Sequence, residues 1–535
     1  MEPSESLEAL AARVDGATVT GDAGRIVTGI CHDSRSVRPG DLFVCLRGAA
    51  HDGHRFAASA VGAGAGAIVA DEGGLAAAGA SLPPEVPVVT VPDTRAALPL
   101  LACALYGDPS QSLILVGVTG TNGKTTTTRL IAAILRAAGM RVGTIGTLGS
   151  ELDGAPIESE HTTPEADQLQ KLLARFRDCG ADAVVMEVSS HALAQERTAG
   201  CAFRVAVFTN ITQDHLDFHH TMEEYFETKA RLFSDYPVIY PRRSGELLAS
   251  VLNVDAWEGK DLVQRARGDI LTFATGSTPA NLKARDVDLH PSHTRFQLVC
   301  DRGAGESSAQ IDLPIGGAFQ VANALAAAGA AVALGIPLDA VARGLSAAPP
   351  VPGRFEAVPT GDSALSIIVD YAHTPDGLEN LLRSARALNP ARLLLVFGCG
   401  GDRDRTKRPK MGRLAATQAE FVVVTSDNPR TEQPDAIIAE IMAGIEAVDP
   451  AERAEIEVVP DRRRAIGLAI AQARPGDIVL IAGKGHEDYQ IVGDRVLPFD
   501  DRLVAREIYN ATNCPGRPTA GRVAQNPDES RSSEG

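Results

Sequence analysis

The side chains best suited to chemistry in this sequence are Lys124 and Thr125, which close a glycine-rich stretch. That stretch is Gly117-Val-Thr-Gly-Thr-Asn-Gly-Lys-Thr-Thr-Thr-Thr128. Glycines let backbone N–H groups approach a phosphate chain, a lysine neutralises phosphate charge, and a threonine hydroxyl can bind Mg²⁺. A strict Walker A motif has glycine six residues before the lysine, where this chain has Val118, so only the shorter Gly120-Thr-Asn-Gly-Lys-Thr125 pattern is met. We predict a nucleoside triphosphate site rather than an ordinary strand–helix turn with a surface lysine.

The elements on both sides of this stretch must position it. The apolar run Leu113-Ile-Leu-Val116 precedes it and predicts a buried strand. Residues 129–139 follow, and their large apolar side chains fall on one face of a predicted helix: Leu130, Ile131, Ile134 and Leu135. The N-terminus of such a helix adds partial positive charge to a phosphate site. The order strand, glycine-rich turn and helix is therefore that of a nucleotide-binding unit.

A second predicted strand, Ala183-Val-Val-Met-Glu-Val188, carries one carboxylate, Glu187, near its C-terminal end. Parallel sheets bind ligands beyond that end, so we expect Glu187 near the phosphates and their metal ion. Ser189 follows directly, and its hydroxyl could either cap the next helix or bind a ligand. Beyond a third predicted strand comes Gln213-Asp-His-Leu-Asp-Phe-His219, which is rich in side chains that can bind metals.

Lys229 stands where an apolar residue would be expected. The other members of its helical face are Tyr225, Phe226, Leu232 and Phe233. A lysine that loses its solvent favours the neutral amine, which can react with carbon dioxide to give a carbamate, an oxygen ligand for a metal. Alternatively, the lysine extends past the aromatic side chains to reach water. The pattern alone leaves both interpretations open.

Four predicted strands in the C-terminal part each lead into a charged loop. The loops are Asp370-Tyr-Ala-His-Thr-Pro-Asp376, Gly398-Cys-Gly-Gly-Asp-Arg-Asp404, Asp427-Asn-Pro-Arg430 and Gly483-Lys-Gly-His-Glu487. Helical segments separate the strands, as in an open parallel sheet that binds ligands beyond the strand ends. The mixture of arginine and carboxylate side chains suits a zwitterionic ligand.

Composition argues against several classes of protein. Of 535 residues, 44% are hydrophobic and 22% are charged, and 68 acidic against 51 basic side chains leave a net charge of −17. That charge argues against a nucleic-acid partner. Eight cysteines without a CxxC pair predict reduced thiols. The N-terminus lacks the apolar core of a signal peptide and no apolar stretch is long enough for a membrane span, so we expect a cytosolic protein without a membrane partner.

Length and linkers predict an α/β protein of three domains with a C-terminal tail. These are a small N-terminal α/β domain, a central P-loop ATPase-like domain and a C-terminal Rossmann-like open sheet, followed by a disordered tail. The predicted limits are 1–110, 111–348, 349–511 and 512–535. Within the central domain, residues 240–315 are expected to complete a mixed or antiparallel part of the sheet.

Taken together, these motifs resemble the Mur ligases. The resemblance rests on Gly120-Thr-Asn-Gly-Lys-Thr-Thr126, Met186-Glu-Val-Ser-Ser-His191, Asp214-His-Leu-Asp217, Lys229, Pro352-Gly-Arg-Phe-Glu356, Asp370-Tyr-Ala-His373 and Asp427-Asn-Pro-Arg430. It covers about residues 28 to 510, and it implies one domain each for a UDP-sugar, for ATP and for an incoming amino acid. The implied reaction, in peptidoglycan precursor synthesis, joins a diamino acid to UDP-N-acetylmuramoyl-L-alanyl-D-glutamate while ATP is hydrolysed to ADP and phosphate.

The resemblance also implies roles for single residues, with ATP and Mg²⁺ as cofactors. The implied ATP contacts are Gly120, Thr121, Asn122, Gly123, Lys124, Thr125, Thr126, Asn323 and Arg354. Thr125 and Glu187 would bind one magnesium ion, and His215 and carbamylated Lys229 a second. Lys124, His215 and Lys229 would be the catalytic residues. The implied contacts to the UDP-substrate are Ser34, Thr162, Thr163, Ser189, Gln195 and Arg197.

The third domain would set amino-acid specificity. Within the family, Asp-Asn-Pro-Arg accompanies meso-diaminopimelate, whereas lysine-adding enzymes lack the arginine. Arg430 and Arg403 could pair with the distal carboxylate that lysine does not have, and Gly483 and Glu487 would meet the distal amino end. The implied site is Arg403, Asp427, Asn428, Pro429, Arg430, Gly483 and Glu487. We therefore expect the form that adds meso-diaminopimelate, acting on small molecules as a monomer.

Three other classes of protein share part of these motifs. The L-lysine-adding form of the same enzyme differs only in the third domain. A folylpolyglutamate synthetase shares the ATP domain and the ligase chemistry, but the Asp427-Asn-Pro-Arg430 loop and the long N-terminal domain count against it. A P-loop kinase or regulatory ATPase would have no use for Lys229 on an apolar face beside a His/Asp cluster.

Overall fold

The computed structural model describes residues 3–48, 51–157, 162–303, 305–361 and 365–513. The chain divides into two compact units: one is Met1–Glu356 with Glu379–Asn389, and the other is Ala357–Leu378 with Pro390–Gly535. Three large sheets follow one another along the sequence, as the predicted three-domain α/β fold requires. No helix in the described ranges is long and apolar enough to cross a membrane.

The N-terminal part forms a small α/β sheet. Its elements are β1 (Glu5–Ser6), α1 (Leu7–Ala11), β2 (Thr18–Thr20), β3 (Ile26–Val27), β4 (Gly29–Cys31), β5 (Asp41–Val44), α2 (Ala57–Gly62), β6 (Ala67–Asp71), α3 (Gly74–Ala77), β7 (Val88–Val91) and α4 (Thr94–Leu105). The strand order is β2-β7-β6-β5-β4, and only the β2–β7 pair is antiparallel. Its central strands are apolar and buried, as in a parallel sheet covered on both faces.

The central part forms an eleven-stranded sheet. Its strands are β8 (Ile114–Thr119), β9 (Val142–Gly146), β10 (Gly149–Leu152), β11 (Ala155–Ile157), β12 (Ala183–Glu187), β13 (Val205–Phe208), β14 (Ala249–Asn253), β15 (Asp269–Ala274), β16 (Leu282–Leu289), β17 (Thr294–Asp301) and β18 (Glu306–Leu313). Strands β9, β12, β8, β13, β14, β15 and β16 are parallel neighbours. Antiparallel strands extend both edges, so the mixed section expected at residues 240–315 is confirmed.

Helices cover both faces of this central sheet. They are α5 (Lys124–Ala137), α6 (Ala166–Asp178), α7 (Ser190–Ala194), α8 (Leu216–His219), α9 (Met222–Ser234), α10 (Tyr236–Ile239), α11 (Trp257–Arg265), α12 (Phe319–Ala333) and α13 (Leu338–Ser346). On one face, α5 packs against α12 and α13, and its four predicted core residues are completely buried. The helix begins at Lys124, five residues before the predicted start, because the threonines after the lysine are themselves helical. The aromatic side chains of α9 pack on the opposite face of the sheet.

The C-terminal part contains the predicted open parallel sheet. Its elements are β19 (Glu356–Val358), β20 (Ser366–Asp370), α14 (Pro375–Arg386), β21 (Leu393–Phe397), α15 (Lys407–Gln418), β22 (Phe421–Val424), α16 (Pro434–Glu446), β23 (Glu455–Val458), α17 (Arg462–Gln472), β24 (Ile478–Ala482), β25 (Tyr489–Val492), β26 (Arg495–Pro498) and α18 (Asp501–Asn513). The strand order is β19-β20-β24-β21-β22-β23, and β20 to β24 pair in parallel. The four charged loops therefore leave the same edge of the sheet. Helix α18 extends two residues into the predicted tail, and the residues from 514 onward lie outside the described ranges.

Candidate active site

The glycine-rich loop between β8 and α5 turns on two glycines with positive φ, Gly120 (146°) and Gly123 (85°). A Cβ at Gly120 would overlap the hydroxyl of Thr209, and one at Gly123 would overlap the Oδ1 of Asn323. Both positions therefore need glycine for backbone conformation and for space. This is the close-packed loop that the sequence predicts for a phosphate site.

Lys124 folds back over this loop. Its Nζ donates to the carbonyl oxygens of Gly120 (2.9 Å) and Thr121 (2.8 Å). Burial lowers the pKa of Lys124, and the charges of Glu187 and Asp214 act in the opposite direction. The lysine thus lies against the backbone of the loop that is predicted to hold the phosphates.

Residues after β13 hold the loop in place from the neighbouring strand. The N–H of Asn122 donates to Asn210 Oδ1 (2.9 Å), and the hydroxyl of Thr209 donates to the Asn122 carbonyl (2.6 Å). The N–H of Thr212 donates to the hydroxyl of Thr121 (3.0 Å). These supporting residues were not predicted from the sequence, although their place just beyond a strand end could have indicated them.

Asn323 on α12 lies against the same loop, as expected. Its Oδ1 accepts a hydrogen bond from Thr127 (3.4 Å), and its Nδ2 donates to Gln320 (2.8 Å). Thr126 is also buried there, in the first turn of α5. Asn323 is thus a buried asparagine whose amide is held by neighbouring side chains.

Thr125 and Glu187 line one small cavity beside the loop. The Nη2 of Arg354 lies 3.3 Å from the Thr125 hydroxyl and donates to it. Glu187 is buried, and Thr147 donates to its two carboxylate oxygens from N–H (2.8 Å) and hydroxyl (3.1 Å). The structure therefore brings together the hydroxyl and the carboxylate predicted for the first magnesium ion.

Lys229 is only 1% exposed, so it does not extend to solvent. Its Nζ donates to the Gly120 carbonyl (3.0 Å), which also accepts from Lys124, and lies 4.5 Å from the centroid of the Tyr225 ring. Burial lowers the pKa of Lys229 well below its usual value, the charge of Lys124 adds to this, and Asp214 opposes it. Two amines thus converge on one carbonyl of the glycine-rich loop.

His215 lies near the same tyrosine. Its ring centroid is 6.1 Å from that of Tyr225 and 4.8 Å from that of His191, and its Nε2 is 3.4 Å from Asp214 Oδ2. The backbone of His215 is left-handed, with φ of 54°, at the start of α8. Within the described ranges, no three His, Cys, Asp or Glu side chains form a metal-binding group, so a second ion here needs a further oxygen ligand.

Three residues predicted to bind the UDP-substrate surround the end of β12. The hydroxyl of Thr163 donates to the Glu187 carbonyl (2.8 Å) and accepts from the N–H of Ser189 (3.2 Å). The hydroxyl of Thr162 lies 3.4 Å from that of Thr147. Ser189 caps α7 by accepting from the N–H three residues further on (3.1 Å), so the capping interpretation is confirmed and the hydroxyl proton remains for a ligand.

Arg197 and Gln195 join this group through side-chain contacts. Arg197 donates to Gln195 Oε1 (2.6 Å) and to the Thr163 carbonyl (3.1 Å). Its Nε lies 2.9 Å from Glu165, whose other oxygen accepts from Arg95 (2.8 Å). Glu165 was not predicted from the sequence, yet it links the arginine to helix α4 of the N-terminal part.

Ser34 lies in a half-buried turn two residues beyond His32. The Nδ1 of His32 is 2.9 Å from both carboxylate oxygens of Asp167, at the start of α6. Burial opposes protonation of His32, but the hydrogen bond and charge of Asp167, with Glu165 and Asp33, outweigh it and raise the pKa of His32. The ion pair holds the turn that carries Ser34 against the central part.

Two loops of the C-terminal unit meet at Arg430. Its Nη1 donates to the Gly401 carbonyl (2.8 Å), and the Gly401 N–H donates to the Asn428 carbonyl (2.9 Å). Arg403 is exposed and donates to the carbonyl of Asp402 (3.1 Å). Arg403 and Arg430 therefore lie on adjoining loops. This is required if both arginines are to pair with one carboxylate of a ligand.

Asp427, Pro429 and Gly483 are packed at the same edge. The carboxylate of Asp427 accepts from the Asn428 N–H (2.7 Å). A Cβ at Gly483, where φ is 115°, would overlap that carboxylate, and a Cβ at Gly401 would overlap the Pro429 carbonyl. The close approach of a carboxylate at Gly483 and of a carbonyl at Gly401 explains the glycines here.

Arg462 connects the ends of β22 and β24, the strands from which two of these loops begin. It is buried, and it pairs with buried Asp501 through Nε (2.8 Å) and Nη2 (2.7 Å). It also donates to the carbonyls of Ser426 (3.3 Å) and Ala482 (3.0 Å), which directly precede Asp427 and Gly483. Nothing in the local sequence pattern distinguishes Arg462 from the exposed arginines beside it.

Sequence searches place the chain within a known family. The Mur ligase family catalytic domain matches residues 26–106, the Mur ligase middle domain residues 118–331 and the Mur ligase glutamate ligase domain residues 353–485. Together these matches cover more than half of the chain. The protein belongs to the Mur ligase family.

Relatives over nearly the whole length bear the same name. A UDP-N-acetylmuramoyl-L-alanyl-D-glutamate–2,6-diaminopimelate ligase from Syntrophomonas wolfei is 46% identical over 91% of this chain and 96% of its own length. The enzyme of that name from Gloeobacter violaceus is 49% identical over 90% of this chain and 93% of its own. A solved structure of a ligase with this name is 33% identical, with a TM-score of 0.67 over 96% of this chain and all of that one.

Proposed function

We propose that the protein is an ATP-dependent ligase that adds meso-diaminopimelate to UDP-N-acetylmuramoyl-L-alanyl-D-glutamate. The observation that carries the proposal is the convergence of Lys124 and buried Lys229 on the Gly120 carbonyl, beside the cavity of Thr125 and Glu187. A simple nucleotide-binding switch has no need of a second buried amine at its phosphate loop. The names of the relatives support the same activity.

The proposed reaction has two steps. A carboxylate is a poor electrophile, so an oxygen of the D-glutamate carboxylate first attacks the γ-phosphorus of ATP, and ADP leaves. The amine of the amino acid then attacks the acyl carbon, and the tetrahedral intermediate expels phosphate to leave the amide. The first step brings two anions together, so fixed cations must reduce their repulsion. Lys124 holds the γ-phosphate in this scheme, and the loop amides hold the remaining phosphates.

Magnesium fits the first proposed site. Thr125 and Glu187 offer hydroxyl and carboxylate oxygens, the ligand type that Mg²⁺ prefers, and they line the same cavity. At the second site, an oxygen of a carbamate on Lys229 would bind the metal ion together with His215. The bound ions would screen the charges of the γ-phosphate and of the attacking carboxylate.

The remaining residue assignments follow the clusters described above. We propose that Thr121, Asn122, Thr126, Asn323 and Arg354 contact ATP. The proposed contacts to the UDP-substrate are Ser34, Thr162, Thr163, Ser189, Gln195 and Arg197. We further propose a cytosolic monomer with domains at 1–110, 111–348 and 349–511, which size-exclusion chromatography and limited proteolysis would test.

The function is tested by phosphate release from ATP. We expect release only when UDP-N-acetylmuramoyl-L-alanyl-D-glutamate and an amino acid are both present, with meso-diaminopimelate faster than L-lysine or L-ornithine. Faster reaction with L-lysine would identify the lysine-adding form. Phosphate release that depends on a folate and glutamate would identify a folylpolyglutamate synthetase. Phosphate release without any acceptor substrate would indicate an ATPase without ligase activity.

Arg430 is the residue proposed to select the distal carboxylate. In Arg430→Lys we expect kcat/KM for meso-diaminopimelate to fall by about 10-fold to 100-fold, because a lysine cannot form the bidentate pair. The kcat/KM for L-lysine should change by less than about threefold. Arg495→Lys, on exposed β26, is the matched control. An unchanged preference in Arg430→Lys would contradict the assignment.

A further inference from the structure

Lys484 is a completely buried cation in the loop after β24. Its Nζ donates to Asn428 Oδ1 (3.3 Å), to Glu487 Oε2 (3.2 Å) and, in a short contact, to the carbonyl of Tyr489. An ammonium group has three protons, and these three acceptors use all of them. Lys484 therefore has no proton left for a ligand, and its effect must pass through the groups that it holds.

The side chain of Asn428 is oriented by this lysine. Its Oδ1 accepts from Lys484 and from the N–H of Ile491 (2.9 Å), so its Nδ2 must face the other way. That Nδ2 donates to Glu487 Oε2 (2.7 Å). Lys484 thus fixes the amide of Asn428, which links the loop after β22 to the loop after β24.

Glu487 is held at one oxygen only. Its Oε2 accepts from both Lys484 and Asn428, while its Oε1 accepts no hydrogen bond from any residue in the described ranges. Its side chain is 16% exposed, so it reaches the surface of the strand edge. One oxygen is therefore anchored, and the other keeps its capacity to accept a hydrogen bond.

We propose that Lys484 is the positioning residue that selects an amino acid with a distal amino group, through Asn428 and Glu487. The inference rests on the proposed function, in which Glu487 meets the distal ammonium of meso-diaminopimelate. A buried cation and an amide hold Oε2 in place, so Oε1 is the carboxylate oxygen left to accept a hydrogen bond from an ammonium ligand. Asn428 then connects the loop after β22 to the loop after β24 by hydrogen bonds.

The test is Lys484→Met, which keeps the length of the side chain and removes its charge and donors. We expect KM for meso-diaminopimelate to rise by about 10-fold to 100-fold, the usual effect of losing a hydrogen bond to a charged group. KM for ATP and for the UDP-substrate should stay within about twofold. Lys410→Met, at an exposed position on α15, is the matched control and should behave as wild type.

The decisive measurement compares meso-diaminopimelate with 2-aminopimelate, which lacks the distal amino group. Wild type should prefer meso-diaminopimelate in kcat/KM, and Lys484→Met should lose most of that preference. The double variant Lys484→Met/Glu487→Gln should be no worse than Glu487→Gln alone, because Lys484 acts through Glu487. If Lys484→Met does not fold, as judged by its thermal transition, Lys484→Gln takes its place.

The outcomes separate the two proposals. A wild-type protein that turns over no amino acid overturns the proposed function, and this inference with it. If the wild type uses meso-diaminopimelate, two results for Lys484→Met would overturn this inference alone. The first is that the variant still prefers meso-diaminopimelate over 2-aminopimelate. The second is that the variant raises the KM values of all three substrates equally, as a structural defect would.

Discussion

At the residue scale, the chemistry of the central site depends on charged groups that have been taken out of water. Lys229 is buried among aromatic side chains, yet its amine reaches the phosphate loop at Gly120. Burial removes solvation, so such an amine persists only where a carbonyl accepts from it or where its charge is lost. A carbamate on Lys229 would replace the positive charge by a negative one, which Lys124 and a bound metal ion would compensate.

Replacing Lys229 tests this role. We expect Lys229→Ala to lower kcat by about 100-fold or more, because the carbamate oxygens and their ion would be lost. Added formate or acetate should restore part of the activity by occupying the vacated space with a carboxylate. Lys260→Ala, at an exposed position on α11, should keep wild-type activity in the same assay. Absence of any rescue would argue for a different role of the amine.

At the element scale, the turn into α5 is set by glycines whose neighbours leave no room for a side chain. Gly123 and Gly139 flank the helix with nearly equal φ, 85° and 88°. A Cβ at Gly123 would overlap Asn323, whereas nothing lies near a Cβ at Gly139. The pair therefore separates the cost of backbone strain from the cost of steric overlap.

These two glycines give a matched experiment. We expect Gly139→Ala to lower the free energy of unfolding by about 1 to 2 kcal/mol, the cost of left-handed backbone, with KM for ATP unchanged. Gly123→Ala should in addition raise KM for ATP by about 10-fold to 100-fold, because the loop amides shift. Equal KM values for the two variants would mean that Gly123 has no part in ATP binding.

A second prediction at this scale concerns helices α17 and α18. Buried Arg462 and Asp501 pair between them, and the next arginine, Arg463, pairs with Glu507 at the exposed surface (2.7 Å). We expect Asp501→Ala to cost about 3 to 5 kcal/mol, because it leaves a buried guanidinium unpaired. Glu507→Ala should cost less than about 1 kcal/mol. Urea denaturation of the full chain measures both, and similar costs would show that Arg462 finds other partners.

At the scale of the whole molecule, ion pairs connect parts that are distant in sequence. His32, after β4, and Asp167, in α6, join the N-terminal sheet to the central one. The pKa of His32 is raised above 6.5 by this pair, so the folded chain binds the proton more tightly than the unfolded chain. By linkage, the stabilisation is complete below about pH 6.5 and is lost as the pH rises through the folded-state pKa.

This linkage predicts a pH-dependent effect of one substitution. We expect the destabilisation caused by Asp167→Asn to be larger at pH 6 than at pH 9, by about 1 kcal/mol. Thermal unfolding at the two pH values measures it. Asp178→Asn, at the exposed end of the same helix, should show no such difference. A pH-independent effect of Asp167→Asn would mean that His32 remains neutral in the fold.

Much of this arrangement could be predicted from sequence patterns because the patterns have local causes. The glycine-rich turn, the apolar face of α5 and the buried face of α9 follow from residue size, polarity and helical period. The four C-terminal loops were expected together because parallel strands end at one edge of a sheet. The family motifs then implied a ligase, and the matched domains place the chain in that family.

Only the tertiary structure identified the partners of charged groups. Lys484, Arg462 and Glu165 lie in stretches whose local pattern does not distinguish them from surface residues, yet each joins loops or domains far apart in the chain. A charge is stable in the interior only where distant residues supply its counter-charge and hydrogen bonds, and periodicity carries no information about those contacts. The sequence by itself determined the phosphate loop, the faces of the helices and the ligase motifs, and the fold decided which side chains hold them in position.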